Sequence, residues 1–279
     1  MGDLSISVVI PTFRRPTVVC RAINSVLAQS QPAEEVIVVD DGGLDGTLEL
    51  LSERYGAALR YERLAENRGV SAARNHGIAR AKGAWIALLD ADDEWLPQKL
   101  ELQRAVLRDA PGCRLCHTDE LWVRHGRRVN PMNKHEKAGG DIFLRCLPRC
   151  AISPSSALLS RELLDEVGLF DTSLPACEDY DLWLRVCARE AVVYLDRPLL
   201  IKYGGHSDQL SRRYYALDRF RVAALEKLLL ETPLNTAQRH AARQMLLEKL
   251  GVIIEGAMKR GRVELARRYD QRRRRWEAW

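Results

Sequence analysis

The stretch AWIALLDADDEW, residues 84 to 95, constrains this chain more than any other. Ala84 to Leu89 is an apolar run set off by Lys82-Gly83, the pattern of a strand buried on both faces inside a parallel sheet. Asp90, Asp92, Asp93 and Glu94 follow at once. Four carboxylates at the end of a buried strand are costly to hold together unless cations neutralise them. Open α/β sheets bind ligands at the carboxyl ends of their strands, and clustered carboxylate oxygens suit a hard divalent cation such as Mg²⁺ or Mn²⁺. Asp90 and Asp92 are therefore a candidate metal and phosphate site. The same residues read equally as an acidic turn before a helix that opens near Pro97.

Two earlier runs repeat the theme. Ser5 to Ile10 ends at Pro11 and a polar loop, Thr12 to Arg15, before Pro16-Thr17 opens a helix with Val19, Ala22, Ile23, Val26 and Leu27 at helical spacing. Glu35 to Val39 runs into Asp40, Asp41, Gly42 and Gly43. Leu48 to Tyr55 suits a helix, Leu59 to Arg63 a short strand and Ser71 to Ala81 a helix, with the loop Asn67-Arg68-Gly69 between the last two. Strand and helix thus alternate three times within 95 residues, which predicts right-handed crossovers and a single mostly parallel, twisted α/β sheet with helices on both faces. Thr12 with Arg14, Asp40 with Asp41, and Asp90 with Asp92 then stand at three strand ends, where a nucleotide would meet them all. No GxGxxG or GxxxxGK[ST] occurs, so a dinucleotide fold and a P-loop have no support.

Beyond residue 95 the pattern gives a helix over Pro97 to Leu107, a strand over Cys113 to His117 and a hairpin over Trp122 to Val129 turning at Gly126. Residues 130 to 150 read as a mobile loop, and Val192 to Leu195 and Leu199 to Tyr203 as two short strands. Three helices follow, over Arg219 to Leu230, Gln238 to Met258 and Val263 to Trp276. The expected division is a catalytic domain over 1–210 and a helical appendage over 211–279. In Glu178-Asp179-Tyr180-Asp181, read as a helix start, Asp179 shares a face with Leu182, Trp183 and Val186, whereas Asp181 pairs with Arg185 elsewhere on the surface. A carboxylate held at a helix N-terminus and facing inward suits a general base; it equally suits a helix that begins with favourable charges.

Composition bounds the rest. At 279 residues, 46% hydrophobic and 29% charged, the chain can bury a sizeable core, and it has no apolar run of membrane-spanning length. Its N-terminus lacks a basic region before the first apolar run, so a cytoplasmic protein is expected. Seven irregularly spaced cysteines are expected to be reduced and mostly buried. The net charge of +5 is concentrated at the end: residues 259–279 hold 9 basic and 3 acidic side chains.

The stretches SVVIPTFRR, EVIVVDDGGLDGT, ENRGVSAARNHGIARAKGAWIALLDADDEW and CEDYDLWLR, in this order and spacing, resemble the family-2 glycosyltransferases, which use the GT-A fold. The resemblance covers about the first 210 residues. It implies transfer of a sugar from a nucleotide-diphosphate donor, usually a UDP-sugar, to an acceptor hydroxyl, with inversion and with Mn²⁺ or Mg²⁺ as cofactor. Pro11, Thr12, Arg14, Asp40, Asn67, Arg74, Asp90, Ala91 and Asp92 would surround the nucleotide. Asp40 would contact the base, Asp92 and Asp90 would hold the metal, and Asp179 would be the catalytic base. His206, after a Gly pair, would reach the metal or pyrophosphate. The acceptor would be a cell-surface glycan, a lipid-linked intermediate or a small molecule.

Three alternatives compete. Cys113-x-x-Cys116 with Cys146 and Cys150 has zinc-like spacing, but residues three apart on a strand point to opposite faces. A nucleotidylyltransferase would need a Gly-rich basic first loop, which TFRRP does not match. A non-catalytic nucleotide-binding module with a polyanion-binding tail lacks any nucleic-acid motif, so no nucleic acid is expected as a partner. Arg267, Arg268 and Arg272 to Arg275, beside Trp276 and Trp279, suit peripheral contact at the inner face of a membrane; they equally suit a solvated helix end.

Overall fold

The computed structural model describes residues 4–205 and 214–279. In chain order the strands are β1 (Ile6–Thr12), β2 (Glu35–Asp40), β3 (Arg60–Arg63), β4 (Trp85–Leu88), β5 (Glu94–Trp95), β6 (Leu115–Arg124), β7 (Arg127–Val129), β8 (Leu158–Ser160) and β9 (Val193–Gly204). The helices are α1 (Pro16–Leu27), α2 (Thr47–Tyr55), α3 (Val70–Arg80), α4 (Lys99–Asp109), α5 (Phe143–Cys146), α6 (Arg161–Val167), α7 (Glu178–Cys187), α8 (Asp218–Glu231), α9 (Thr236–Met258) and α10 (Val263–Ala278).

One sheet carries all of the strands, in the order β3-β2-β1-β4-β8-β6-β9-β5, with β7 paired to β6. The first four strands are mutually parallel. β8 enters antiparallel beside β4 and β6, β9 runs parallel to β6, and β5 is antiparallel to β9. The expected sheet is therefore parallel in its N-terminal half and mixed beyond it. The parallel register places Thr12 opposite Asp40 and Asp40 opposite Arg63, so the strand ends form a common rim.

Strand alternation splits the core into two layers. Ile6, Val8 and Ile10 of β1 face α1 and α4 residues such as Ile23 and Leu100; Val9 faces the opposite layer with Ile37, Val39 and Ile86. Each such fully buried Val, Ile or Leu contributes roughly 1.5–3 kcal/mol. α3 lies close against the sheet because of Gly77, where a Cβ would stand 2.4 Å from Val9 Cγ1. The α8–α10 helices are not a separate body: Val222, Leu246, Leu250 and Trp276 share one buried cluster with Leu182 and Trp183 of α7.

Two local expectations change. Residues 130–150 are not a free loop, because Gly140 bridges Val192 and Ile142, Phe143, Cys146 and Leu147 are buried. The two short strands after residue 192 are one strand, β9, whose register shift opposite Asp119 accommodates Pro198.

Candidate active site

The first loop is bolted to the Asp-x-Asp turn. Arg15 Nη1 lies 2.9 Å from Asp92 Oδ2, and Arg21 Nη2 donates to the Asp92 carbonyl at 2.6 Å. Arg21 also stacks at 3.7 Å on the ring of Tyr203, whose hydroxyl donates to Glu94. Arg14 takes a different course, with φ of 52° and its guanidinium over Phe13. Pro11 and Thr12 close β1 in the rim, both buried, and Asp41 N donates to the Thr12 carbonyl.

At the end of β2 the two aspartates divide the work. Asp40 is fully buried; its carboxylate accepts from Gly43 N at 2.9 Å and Arg63 Nε at 3.2 Å. These two donors leave lone pairs on the carboxylate that a further N–H could use. Asp41 accepts from Asn67 Nδ2, Arg68 N and Gly69 N, all within 2.9 Å, so Asn67 braces the loop leading into α3. Burial pushes both carboxyls above the usual aspartate range, against these bonds. Gly42 is required here: its φ is 74° and a Cβ would stand 2.3 Å from the Glu66 carbonyl carbon.

The turn after β4 separates its four carboxylates. Asp93 is interior, accepting from Ser155 Oγ at 2.6 Å and from Tyr203 N at 3.3 Å, and burial pushes its carboxyl well up. The Asp90 and Asp92 side chains keep 27% and 20% of their surface exposed, and Ala91 between them is buried. Against the push of burial, the Arg74 guanidinium holds Asp90 below the usual range. Lys202 on β9 supplies a further cation to Asp93, Asp90 and Glu120, and donates to Ser153 Oγ at 3.0 Å.

Arg74 is the centre of the site. It is 3% exposed, with Nη2 at 2.6 Å from Asp90 and Nη1 at 2.8 Å from Glu178. One guanidinium thus joins the Asp-x-Asp turn to the start of α7, whose Glu178 lies 104 residues beyond Arg74 in sequence. Glu178 therefore points inward, where burial and then the neighbouring Asp179 raise its carboxyl to about 7. Asp179 is half-buried beside it. Its Oδ1 caps its neighbour's Tyr180 N at 2.7 Å, and its Oδ2 accepts from Cys150 Sγ at 3.1 Å. The Cys150 thiol, pushed up by burial, has the Ile152 carbonyl at the same 3.1 Å, so its single proton serves two acceptors. Tyr180 Oη donates to the Leu147 carbonyl, pinning the 143–153 segment against α7.

Asp181 and Arg185 do form their pair, at 2.8 Å, but it is interior rather than superficial. Asp181 is 1% exposed and also meets Lys227 of α8, while Arg185 donates to the carbonyls of Val167, Gly168 and Leu169. The face of α7 taken as solvent-facing is covered by α8. Sequence reasoning missed the roles of Arg15, Glu178, Cys150 and Lys202. Only Arg15 and Glu178 carried a signal, as neighbours of Arg14 and Asp179.

The chemistry of Asp90 and Asp92 fits a hard divalent cation. Both are oxygen donors at one strand end that reach solvent, and Mg²⁺ is commonly held by one or two carboxylates with water and phosphate completing the shell. No third His, Cys, Asp or Glu joins them among the described residues, and His206 lies outside those residues. Cys113 and Cys116 are buried separately from the Cys146–Cys187 contact of 3.6 Å, and no zinc cluster forms among the described residues.

Comparisons with known proteins give the family and the fold of the chain. A family model described as glycosyl transferase family 2 matches residues 7–168. An uncharacterized glycosyltransferase of Rickettsia bellii is 34% identical over 220 residues, 76% of this chain and 31% of the relative. TuaG of Bacillus subtilis, assigned as a glycosyltransferase to teichuronic acid biosynthesis, is 39% identical over 202 residues, 71% of this chain and 78% of TuaG. The chain spans about a third of the length of the first Rickettsia relatives. The structure of S. aureus TarS 1–349 in complex with UDP-GlcNAc covers 88% of this chain and 71% of its own, with TM-score 0.71 and 22% identity, a likeness of fold. Matched by that model over more than half its length and by TuaG over most of TuaG's, the chain belongs to glycosyltransferase family 2 and has the GT-A fold.

Proposed function

We propose that this chain transfers a glycosyl group from a UDP-sugar to an acceptor hydroxyl, with inversion, and that Asp179 is the base. The observation that carries the reading is the double ion pair of Arg74, which fixes the carboxylates at the β4 end and the first turn of α7 in one constellation. A donor lying along the strand ends would meet Pro11, Thr12, Arg14, Asn67 and the Asp90–Asp92 turn. Its sugar would extend toward Asp179, and Asp40 would select uracil. The UDP and UDP-GlcNAc held by the TarS structures support a uridine donor.

Asp92 and Asp90 would hold Mn²⁺ or Mg²⁺, which when bound neutralises charge growing on the departing diphosphate. Asp179 accepts the proton of the attacking hydroxyl. Cys150 suits a partner to such a base, because as Asp179 takes up a proton the thiol can turn its own toward the Ile152 carbonyl. TuaG, and ExoU of Rhizobium meliloti, a succinoglycan biosynthesis protein 32% identical over 200 residues, support a cell-surface polysaccharide acceptor.

The test is UDP release from a panel of UDP-sugars. Asp179→Asn keeps the side-chain shape and removes the proton acceptor, so turnover should fall by ~10²–10⁴ with UDP affinity unchanged. Near wild-type transfer by Asp179→Asn refutes the base assignment, and pyrophosphate as the released product refutes the reaction class.

A further inference from the structure

The basic C-terminal helix does not present the surface its sequence suggests. Tyr269 and Trp276 of α10 are buried, and Trp276 Nε1 donates to Glu226. Arg267, Arg272, Arg273 and Arg274 are paired to Glu264, Glu226, Glu277 and Asp270. Most of the charge in that helix is already neutralised within the fold.

The turn that precedes it is different. Beyond Met258 the chain leaves α9 through Gly261, φ 68°, with Arg262 N donating to the Ala257 carbonyl and Gly261 N to the Met258 carbonyl, each at 3.0 Å. These are the two bonds of a Schellman end, which makes the turn rigid. It displays Met258 and Val263, 54% and 53% exposed, beside Tyr215 at 55%. Two of the eleven large hydrophobic side chains exposed among the described residues thus flank this turn, and a third, Tyr215, is held to it by arginines. The Arg260 and Arg262 guanidiniums lie 5.0 and 5.6 Å from the Tyr215 ring, so the three segments form one patch. Lys259, Arg260 and Arg262 are exposed, and none has a carboxylate within ion-pair distance among the described residues; the nearest exposed acids along the chain are Glu255 on α9 and Glu264, which pairs with Arg267.

Apolar side chains flanked by uncompensated cations match one environment in charge and polarity: headgroups of an anionic bilayer above the start of its acyl chains. We propose that the α9–α10 turn, with Tyr215, is the contact through which this chain rests on an anionic lipid surface. No described helix is long and apolar enough to cross a membrane, so the contact is peripheral. It stands apart from the sugar and base assignments.

The experiment is co-sedimentation of the full chain with phosphatidylcholine vesicles, pure or containing about a third phosphatidylglycerol. Each cation near an anionic surface contributes roughly fivefold to partitioning. The triple variant Lys259→Ser, Arg260→Ser, Arg262→Ser should therefore bind anionic vesicles roughly a hundredfold more weakly. Met258→Ser with Val263→Ser should lose roughly tenfold. Arg268→Ser with Arg275→Ser, which alters α10 instead, should bind as wild type, and unchanged thermal midpoints show that the variants fold. The proposal is overturned if the wild type ignores anionic vesicles, binds neutral ones equally, or loses as much through the α10 variant. Duplex DNA binding that depends on the turn, without vesicle binding, assigns the patch to nucleic acid and also overturns it.

Discussion

Replacing Arg74 with methionine tests whether the site is one constellation. The guanidinium is 3% exposed and makes two charge-assisted bonds, at 2.6 and 2.8 Å, to carboxylates on different elements. Methionine fills similar volume against Phe170, whose ring lies 5.0 Å from the guanidinium carbon, so packing loss is small. What remains is Glu178, whose side chain is 6% exposed and has lost its cation. Breaking a buried pair by removing one partner costs about 3–5 kcal/mol. The cost has a pH sign. Glu178 is raised to about 7 in the fold from 4.5. Its folded-state preference for the proton thus contributes stability below about pH 4.5, lost as pH rises through 7. Without Arg74 that loss steepens, and the variant's deficit should grow between pH 5 and 8. Glu178→Gln added to Arg74→Met removes the orphaned charge and should recover about 1–3 kcal/mol in a double-mutant cycle. Turnover should stay low in both, because Asp90 is unanchored. Urea unfolding with UDP release reads both quantities. A single-variant cost below about 1 kcal/mol, or additivity within about 0.5 kcal/mol, would refute the central role of Arg74.

Three further outcomes follow from the geometry. Asp181→Asn should destabilise by about 2–4 kcal/mol in thermal or urea unfolding, because it breaks an interior pair with Arg185 and Lys227; a neutral result would place the pair in solvent. Lys99 is fully buried against Trp95 and Gln103, and burial lowers its amine to about 7 from 10.5. The stability its neutral form allows is present above pH 10.5 and lost as pH falls through 7, so wild type should gain about 2–3 kcal/mol relative to Lys99→Met between pH 7 and 9; parallel pH curves would refute this. Arg15→Gln removes a partly exposed partner of Asp92, and Mn²⁺ should then stabilise the protein at two- to fivefold lower concentration in a thermal-shift titration without nucleotide; an unchanged midpoint concentration would count against Asp92 as the metal-binding carboxylate.

Much of the fold was readable because local pattern and tertiary role coincide. Ile6 to Ile10, Val36 to Val39 and Ile86 to Leu88 are buried on both faces, and a strand so placed needs no alternation of polar residues. The strand order beyond β4 was not readable. β8 runs antiparallel to both β4 and β6, through pairings such as Leu115 with Leu159, which no local spacing encodes. Proline and charge misled at two points. Pro198 read as a break, but a register shift opposite Asp119 carries β9 past it. The Asn-, Lys- and His-rich approach to residue 140 read as a loop, while Phe143 and Cys146, the two ends of a four-residue helix, supply core. The helix read from Gln238 begins two residues earlier, at Thr236, because Asn235 and Gln238 each bond the other's backbone N–H in a capping box.

The site was legible to the depth that single loops allow. Carboxylates at three strand ends follow from position, and their need for cations follows from electrostatics. Which cation serves which carboxylate is a matter of reach across the fold. Arg74 on α3 meets both Asp90 and Glu178, the first residue of α7, and Arg15 in the first loop meets Asp92. Helical periodicity placed Asp179 inward and Asp181 outward, on the premise that one side of α7 faces water. Once α8 covers the other side, both carboxylates are enclosed, and their partners set them apart. Asp181 is held by two cations, Lys227 and the carbonyl-bound Arg185. Asp179 has a thiol and a backbone N–H. A carboxylate held between fixed cations is structural, while one beside a thiol and a backbone N–H is left open to a substrate hydroxyl. That contrast, which periodicity cannot supply, favours Asp179 over its enclosed neighbours as the base.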